Sequence, residues 1–203
     1  MKLSIVIPMK SPERSKSRLA KVLSRNQRKK LTLGLFEKNL NFFRQRYPQY
    51  NLLVVTESKR IQEIAESHGA EVLLEEQKLA GLNAAVTLAA EYNERRGVET
   101  QLVIPGDIKT LDFDEIECLL SHRVVAPSVV VCPSYDGGTN AMMTTPPNIV
   151  PFSFGPDSCQ IHLLSAFDEG LHTTRLFLEN LSFDVDRPED LDRAEIWPEK
   201  MSA

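Results

Sequence analysis

Short apolar runs alternating with helical segments constrain this chain more than any other feature. Five stand out: "LSIVIP" (Leu3 to Pro8), "NLLVVT" (Asn51 to Thr56), "AEVLL" (Ala70 to Leu74), "QLVIPGD" (Gln101 to Asp107) and "SVVVCP" (Ser128 to Pro133). Each is of strand length and nearly continuous in apolar residues, the pattern of strands buried on both faces. Helical signals lie between them. Ser24 and Gln27 match a capping box ahead of an apolar face marked by Leu31, Leu35, Leu40 and Phe43. Ser58 opens a helix to about His68, stopped by Gly69; another runs from Leu82 to about Arg96; Asp112 and Glu115 form a second capping box for a helix through Leu120. This rhythm predicts an α/β fold with a mostly parallel central sheet and helices on both faces.

After about residue 135 the rhythm loosens, and an antiparallel excursion is expected. "TNAMMTT" (Thr139 to Thr145) reads as a strand, a helix begins at Asp157 or Ser158 and ends by Gly170, and "TRLFL" (Thr174 to Leu178) reads as extended. Pro188 stands where a last helix would begin. Without internal repeats or a Gly/Ser linker, residues 1–203 read as a single domain.

Composition removes several function classes. No stretch approaches the roughly 20 apolar residues of a membrane span, and the N-terminus enters a strand pattern without the apolar stretch and cleavage site of a signal peptide. A cytoplasmic protein without a membrane partner is expected. Cys118, Cys132 and Cys159 form no close pair; the first two read as small core residues. His68, His122, His162 and His172 are scattered and read as surface or cap residues, and Trp197 as packing. The net charge of −4 speaks against a general nucleic-acid binder.

That charge is unevenly spread. The first thirty residues hold ten of the 24 Lys and Arg but one of the 28 Asp and Glu, Glu13. In "PMKSPERSKSRLAKVL", Lys10, Arg14, Lys16, Arg18 and Lys21 crowd the loop after the first strand. Such a loop suits a polyphosphate, although a solvated basic loop looks the same in sequence. Neither "GxxxxGK[ST]" nor "GxGxxG" is present, so any nucleotide cradle is of another kind.

Other chemistry-bearing stretches also fall at strand ends, where open α/β sheets bind ligands. Asp107 closes "LVIPGD" beside Gly106, which would let a ligand approach the backbone; it suits a Mg²⁺ ligand or, equally, a turn cap. Asp184 and Asp186 alternate along an extended stretch and face one side, to join Asp107 or to cap the Pro188 helix. In "DGGTN", Gly137 and Gly138 can turn N–H groups toward an anion, with the Thr139 hydroxyl and Asn140 amide following; the same letters make a hairpin turn. "FGPDS" sets Gly155 and Ser158 at a helix N-terminus, which attracts phosphate or is simply a capped helix.

Taken in order, "PMKSPERSKSRLAKVLS", "LNAA", "DGGTNAM", "FGPDS" and "DVDRPEDL" resemble the CofC family of guanylyltransferases of coenzyme F420 biosynthesis over nearly the whole chain. The resemblance implies a MobA-like, GT-A type nucleotidyltransferase fold. It implies a reaction in which GTP and a phosphorylated hydroxy acid give a guanylylated acid and pyrophosphate. Lys16 and Arg18 would hold the triphosphate with Lys10 nearby, Asn83 would lie near the guanine, and Asp107, Asp184 and Asp186 would bind Mg²⁺. Thr139, Gly155 and Ser158, with Gly138 and Asn140 beside them, would hold the acceptor. The family's acceptors are 2-phospho-L-lactate, phosphoenolpyruvate and 3-phospho-D-glycerate. This chain departs from the family at "IKTL" (Ile108 to Leu111) and at Cys159. If Lys109, Thr110 or Cys159 lines the pocket, a more hydrophilic acid such as 3-phosphoglycerate is favoured. A homodimer is allowed. A sugar-1-phosphate nucleotidyltransferase and a non-catalytic nucleotide- or RNA-binding module are the competing readings.

Overall fold

The computed structural model describes residues 2–75 and 81–194. The strands are β1 (Leu3–Pro8), β2 (Asn51–Thr56), β3 (Glu71–Leu74), β4 (Thr100–Val103), β5 (Ser128–Pro133), β6 (Thr139–Thr145) and β7 (His172–Arg175). They form one sheet in the order β3-β2-β1-β4-β6-β5-β7. β6 is antiparallel to both its neighbours; the other pairings are parallel. This is the expected α/β sheet with its expected antiparallel excursion. The helices are α1 (Arg25–Arg46), α2 (Lys59–Ser67), α3 (Gly81–Arg95), α4 (Phe113–Ser121), α5 (Ser158–Asp168) and α6 (Pro188–Arg193).

Side-chain alternation along each strand divides the core into two layers. Ile5, Ile7, Leu52, Val54, Leu102 and Ile104 pack on one face against Phe36, Leu40 and Phe43 of α1, with Ile61 of α2 and Ile116 of α4. Val6, Leu53, Val55 and Val103 pack on the other against Val86 and Ala89 of α3 and Ala166 of α5. From β1 the chain steps outward to β2 and β3, then returns with β4 on the far side of β1. A crevice therefore opens beyond the carboxyl ends of β1 and β4, where the order reverses.

A third apolar cluster decides what fills that crevice. After β1 the cationic loop tightens into 3₁₀ turns at Pro12–Arg14 and Ser17–Lys21. Leu19 and Leu23 from this loop pack with Leu31 and Leu35 of α1 and with Val185, Leu191 and Ala194 near the other end of the chain. The segment carrying Val185 is pinned twice more. The Glu115 carboxylate accepts from the backbone nitrogens of Asn180 and Leu181 at 2.8 and 2.9 Å, and from Asn180 Nδ2 at 3.1 Å. Asn140 Nδ2 donates to Leu181 O at 3.1 Å. Beyond these anchors Asp184 forms an isolated antiparallel bridge with Ile108.

Several expectations need correction. Glu115 completes no capping box: Asp112 caps α4 through Glu115 N, but the Glu115 side chain is drawn to the donors at residues 180 and 181, which a helix end cannot match. β4 ends at Val103, short of Asp107. β7 runs from His172 to Arg175, earlier than expected, because its pairing with β5 starts at His172 opposite Ser128, and beyond Leu176 the chain leaves β5 as Leu178 turns into the core. Gly106 is buried, and a Cβ there would sit 2.9 Å from Met9 Sδ and 3.0 Å from Phe36, so its smallness serves packing and not ligand approach. Cys118 is exposed, on the outer side of α4; Cys132 is buried as expected. Trp197 lies outside the described residues.

Because a charged carboxylate answers two backbone amides here, Glu115→Ala is expected to cost about 2 kcal/mol of stability. Urea unfolding measures the loss, and faster amide exchange concentrated at Asn180 and Leu181 identifies its source.

Candidate active site

Lys16 is the centre of the crevice. Its backbone is left-handed (φ 53, ψ 39), a strained choice for a lysine, and its side chain is 2% exposed. Nζ lies 2.5 Å from Oδ2 of Asp107, whose side chain is 32% exposed. Burial works against the charge of Lys16, but Asp107, with Asp186 and Asp184 beyond it, keeps the ammonium above its ordinary pKa. Burial likewise opposes ionisation of Asp107, and is outweighed by Lys16, helped by Lys10, so this carboxyl stays below its usual range. Two residues on, the Arg18 guanidinium pairs with Asp186 Oδ2 at the open side of the crevice. Lys16 and Arg18 thus share one lip with the three aspartates.

Asp184 is the uncomfortable member. Burial pushes its carboxyl up to about 6, and Asp107, Asp186 and Asp136 add repulsion that Lys16 only partly offsets. Among the described residues, no three His, Cys, Asp or Glu side chains are gathered closely enough to hold a metal ion. What the aspartates offer is hard oxygen donors, two of them facing a cation and the third, Asp184, only partly relieved, a donor set whose chemistry could suit Mg²⁺.

From this centre a cleft of about 440 Å³ runs along the strand ends toward β3, lined by Met9, Lys10, Glu57, Glu75, Leu82 and Asp107 among others. Glu57, not singled out by the sequence, holds the cationic loop in place. It accepts from Ser11 N at 3.2 Å and from Arg14 Nη2 at 2.9 Å. An acid immediately after a buried strand was the available signal. Asn83 makes a two-point contact with the Phe154 backbone, donating to its oxygen at 3.3 Å and accepting from its nitrogen at 2.6 Å.

The other predicted residues meet across the start of β6 and the start of α5. Thr139 Oγ1 lies 2.9 Å from Ser158 Oγ and 3.3 Å from His162 Nδ1. His162 Nε2 accepts from Ser153 N at 2.8 Å, in the loop that leads to Gly155 (φ 142). His162 is therefore neither surface nor cap; it is fully buried, with one ring nitrogen on the Ser153 amide and the other facing Thr139 Oγ1. The "DGG" stretch is a turn: Gly137 N donates to Ser134 O, and Gly138 N donates to Oδ1 of Asp136, so both amides are directed inward. A Cβ on Gly138 would meet Ser134 Oγ at 2.7 Å. Asn140 is 6% exposed and serves the Leu181 anchor. Cys159 joins the core and supplies no hydrophilic lining, while Lys109 reaches over the Phe183 ring at 5.9 Å.

Known proteins share this fold and, in part, this sequence. A solved 4-diphosphocytidyl-2C-methyl-D-erythritol synthase from Anaerococcus prevotii superposes with a TM-score of 0.63 over 100% of this chain and 96% of its own, at 10% identity, a likeness of fold. In sequence, a 3-phospho-D-glycerate guanylyltransferase from Colwellia psychrerythraea is 44% identical over 95% of this chain and 90% of its own. A phosphoenolpyruvate guanylyltransferase from Rubrobacter xylanophilus is 33% identical over 96% and 94%. The family described as guanylyl transferase, CofC like, matches residues 3–200. A match of that length, with relatives this similar from end to end, makes the chain a member of the CofC-like guanylyl transferase family.

Proposed function

We propose that this chain transfers GMP from GTP to 3-phospho-D-glycerate and releases pyrophosphate, in the biosynthesis of a coenzyme of the F420 type. The observation that carries the reading is the Lys16–Asp107 ion pair beside the Arg18–Asp186 pair at the switch point of the sheet. The choice of acid rests on the relative at 44% identity, which bears that name, since the side chains at positions 109 and 159 do not decide it. A cytoplasmic setting goes with GTP as substrate.

The obstacle to such a reaction is repulsion between two anions. A phosphate oxygen of the acceptor attacks the α-phosphorus of GTP; a new P–O bond forms as the bond to the β-phosphate oxygen breaks and pyrophosphate departs on the opposite side. A phosphomonoester is already largely ionised near neutral pH, so no general base is needed. Lys16 and Arg18 stabilise the charge that grows on the departing pyrophosphate, and Lys10 lines the path of the phosphates. Thr139, Ser158 and the backbone at Gly155 hold the acceptor in line, so the chain's contribution is position and charge. Asp107, Asp184 and Asp186 would hold Mg²⁺, whose charge would neutralise both reactants.

Incubation with GTP, Mg²⁺ and each of 3-phospho-D-glycerate, 2-phospho-L-lactate and phosphoenolpyruvate, read as pyrophosphate, is expected to favour the first by kcat/KM. Pyrophosphate from a sugar 1-phosphate alone, or salt-sensitive RNA binding without any turnover, refutes the reading. Lys16→Met keeps most of the volume but removes the charge, and is expected to lower kcat on the order of 10²–10³-fold. Wild-type turnover in that variant would return Lys16 to a structural role.

The strain at Asp184 gives a prediction with a definite sign. Its folded pKa of about 6 exceeds the ordinary 3.8, so the fold holds the proton more tightly than the unfolded chain does. Stability is therefore lost as pH rises between those values, and the deficit is complete above the higher one. Without Mg²⁺, Asp184→Asn is expected to melt higher than wild type at pH 8 and no higher at pH 4, while losing turnover. Equal melting temperatures at pH 8 would remove the electrostatic tension on which the metal assignment leans.

A further inference from the structure

His162 is a fully buried imidazole for which the proposed chemistry has no stated use, and both its nitrogens are engaged. It stands one turn along α5 from Ser158, so the two side chains share a helix face. Nε2 lies 2.8 Å from Ser153 N, Nδ1 lies 3.3 Å from Thr139 Oγ1, and Thr139 Oγ1 lies 2.9 Å from Ser158 Oγ. The Phe154 ring stands edge-on to the imidazole at 5.0 Å, and Asn83 clamps the backbone of that same phenylalanine.

Proton positions follow from one fixed donor. A backbone N–H can only donate, so Ser153 makes Nε2 an acceptor and leaves the imidazole proton on Nδ1. Burial holds the ring's pKa down to about 4, so it is neutral at ordinary pH. Nδ1–H therefore donates to Thr139 Oγ1. Thr139 and Ser158 have two hydroxyl protons between them, and the bond joining them takes one. The other is left for a further acceptor, and Thr139, 8% exposed beside the fully buried Ser158, is the member of the pair that reaches the surface. With the opposite tautomer, Thr139 would donate to Nδ1, Ser158 would donate to Thr139, and the pair would end in lone pairs. An anionic acceptor also presents lone pairs, so it is matched by the first direction and repelled by the second.

We propose that His162 is a positioning residue that makes the Thr139–Ser158 pair a hydrogen-bond donor toward an anionic oxygen of the acceptor acid, while through Ser153 it holds the Gly155 loop against that pair. The role rests on the acceptor reading above and deepens it. His162 touches no reacting atom; it sets the direction in which two hydroxyls point.

Two variants and one spectrum test this. His162→Phe preserves a planar ring and removes both polar contacts; the acceptor KM is expected to rise about 10- to 100-fold, as for loss of a hydrogen bond to a charged group, with the GTP KM unchanged. His162→Asn returns an N–H close to the Nδ1 position and is expected to recover most of the acceptor affinity. An unchanged acceptor KM in the Phe variant, a parallel rise in both KM values, or an Asn variant no better than Phe overturns the role. Independently, a long-range ¹H–¹⁵N spectrum of the wild-type protein is expected to show His162 protonated at Nδ1 and bare at Nε2; the reverse overturns the role whether or not the variants fold. The spectrum needs no substrate, so the two readings fail separately. Turnover with the reversed tautomer refutes the role of His162, whereas the expected tautomer with no pyrophosphate from any phospho-acid refutes the functional reading and the role with it.

Discussion

The contact on which the site depends is apolar. Leu19, from the loop after the first strand, and Val185, from near the far end of the chain, are both fully buried in one small cluster. Each is flanked by charge: Lys16 and Arg18 precede the leucine, and Asp184 and Asp186 bracket the valine. Burying the two apolar residues together therefore forces the cations and the aspartates to meet. Hydrophobic burial of two such side chains contributes roughly 1.5–3 kcal/mol each, while an exposed ion pair contributes about 0–1 kcal/mol. Packing thus assembles the charges; the charges do not assemble the packing. Arg18, 60% exposed in its pair with Asp186, illustrates the point, because that pair is too wet to hold two distant segments together by itself.

Much of this was legible because strands write their burial directly into sequence. β1, β2, β5 and β6 begin and end where their apolar runs do. The capping box of α1 is complete in the structure, with Ser24 and Gln27 bonded reciprocally. The gathering of Lys16, Arg18 and Asp107 followed from topology, since parallel strands deliver their following loops to one edge, whereas Asp184 and Asp186 arrive through the packing of Val185 and the anchors at residues 180 and 181. What the sequence hid were contacts whose partners lie far along the chain. Glu115 has the spacing of a capping residue, and only the fold brings it to Asn180 and Leu181. Gly106 has the look of a ligand-facing glycine, and only the fold sets Met9, Ile7 and Phe36 where its side chain would be. His162 has no local motif at all; its meaning comes from Thr139 on one side and Ser153 on the other.

The same structure shows why the site is strained in some places and relaxed in others. Glu13, on the outer side of the loop, is satisfied by Lys29 and Ser11 and titrates near 2. Asp136 is settled by Ser134 and by the amide of Gly138. Asp184 has only the partial relief of Lys16, and the fold holds its proton more tightly than the free side chain does; Glu75, also in the cleft, is raised by burial and by Glu57. Among the three aspartates the electrostatic tension is thus confined to one, with Asp107 and Asp186 each facing a cation.

The reversed strand decides which residues of β6 stand at the edge of the sheet that carries Asp107. If β6 ran parallel to its neighbours, its first residues would lie at the opposite edge of the sheet from Asp107. Because it is antiparallel to β4, with Met142 opposite Val103, β6 instead begins, at Thr139, on the edge where β4 ends. Adjacent strands lie about 4.8 Å apart, so the start of β6 lies one strand from the end of β4 and two from the end of β1. Strand order thus sets the Thr139–Ser158 pair on one side of the end of β4 and the loop of Lys16 and Arg18 on the other. In the proposed reaction these two flanks would serve the acceptor and the nucleotide.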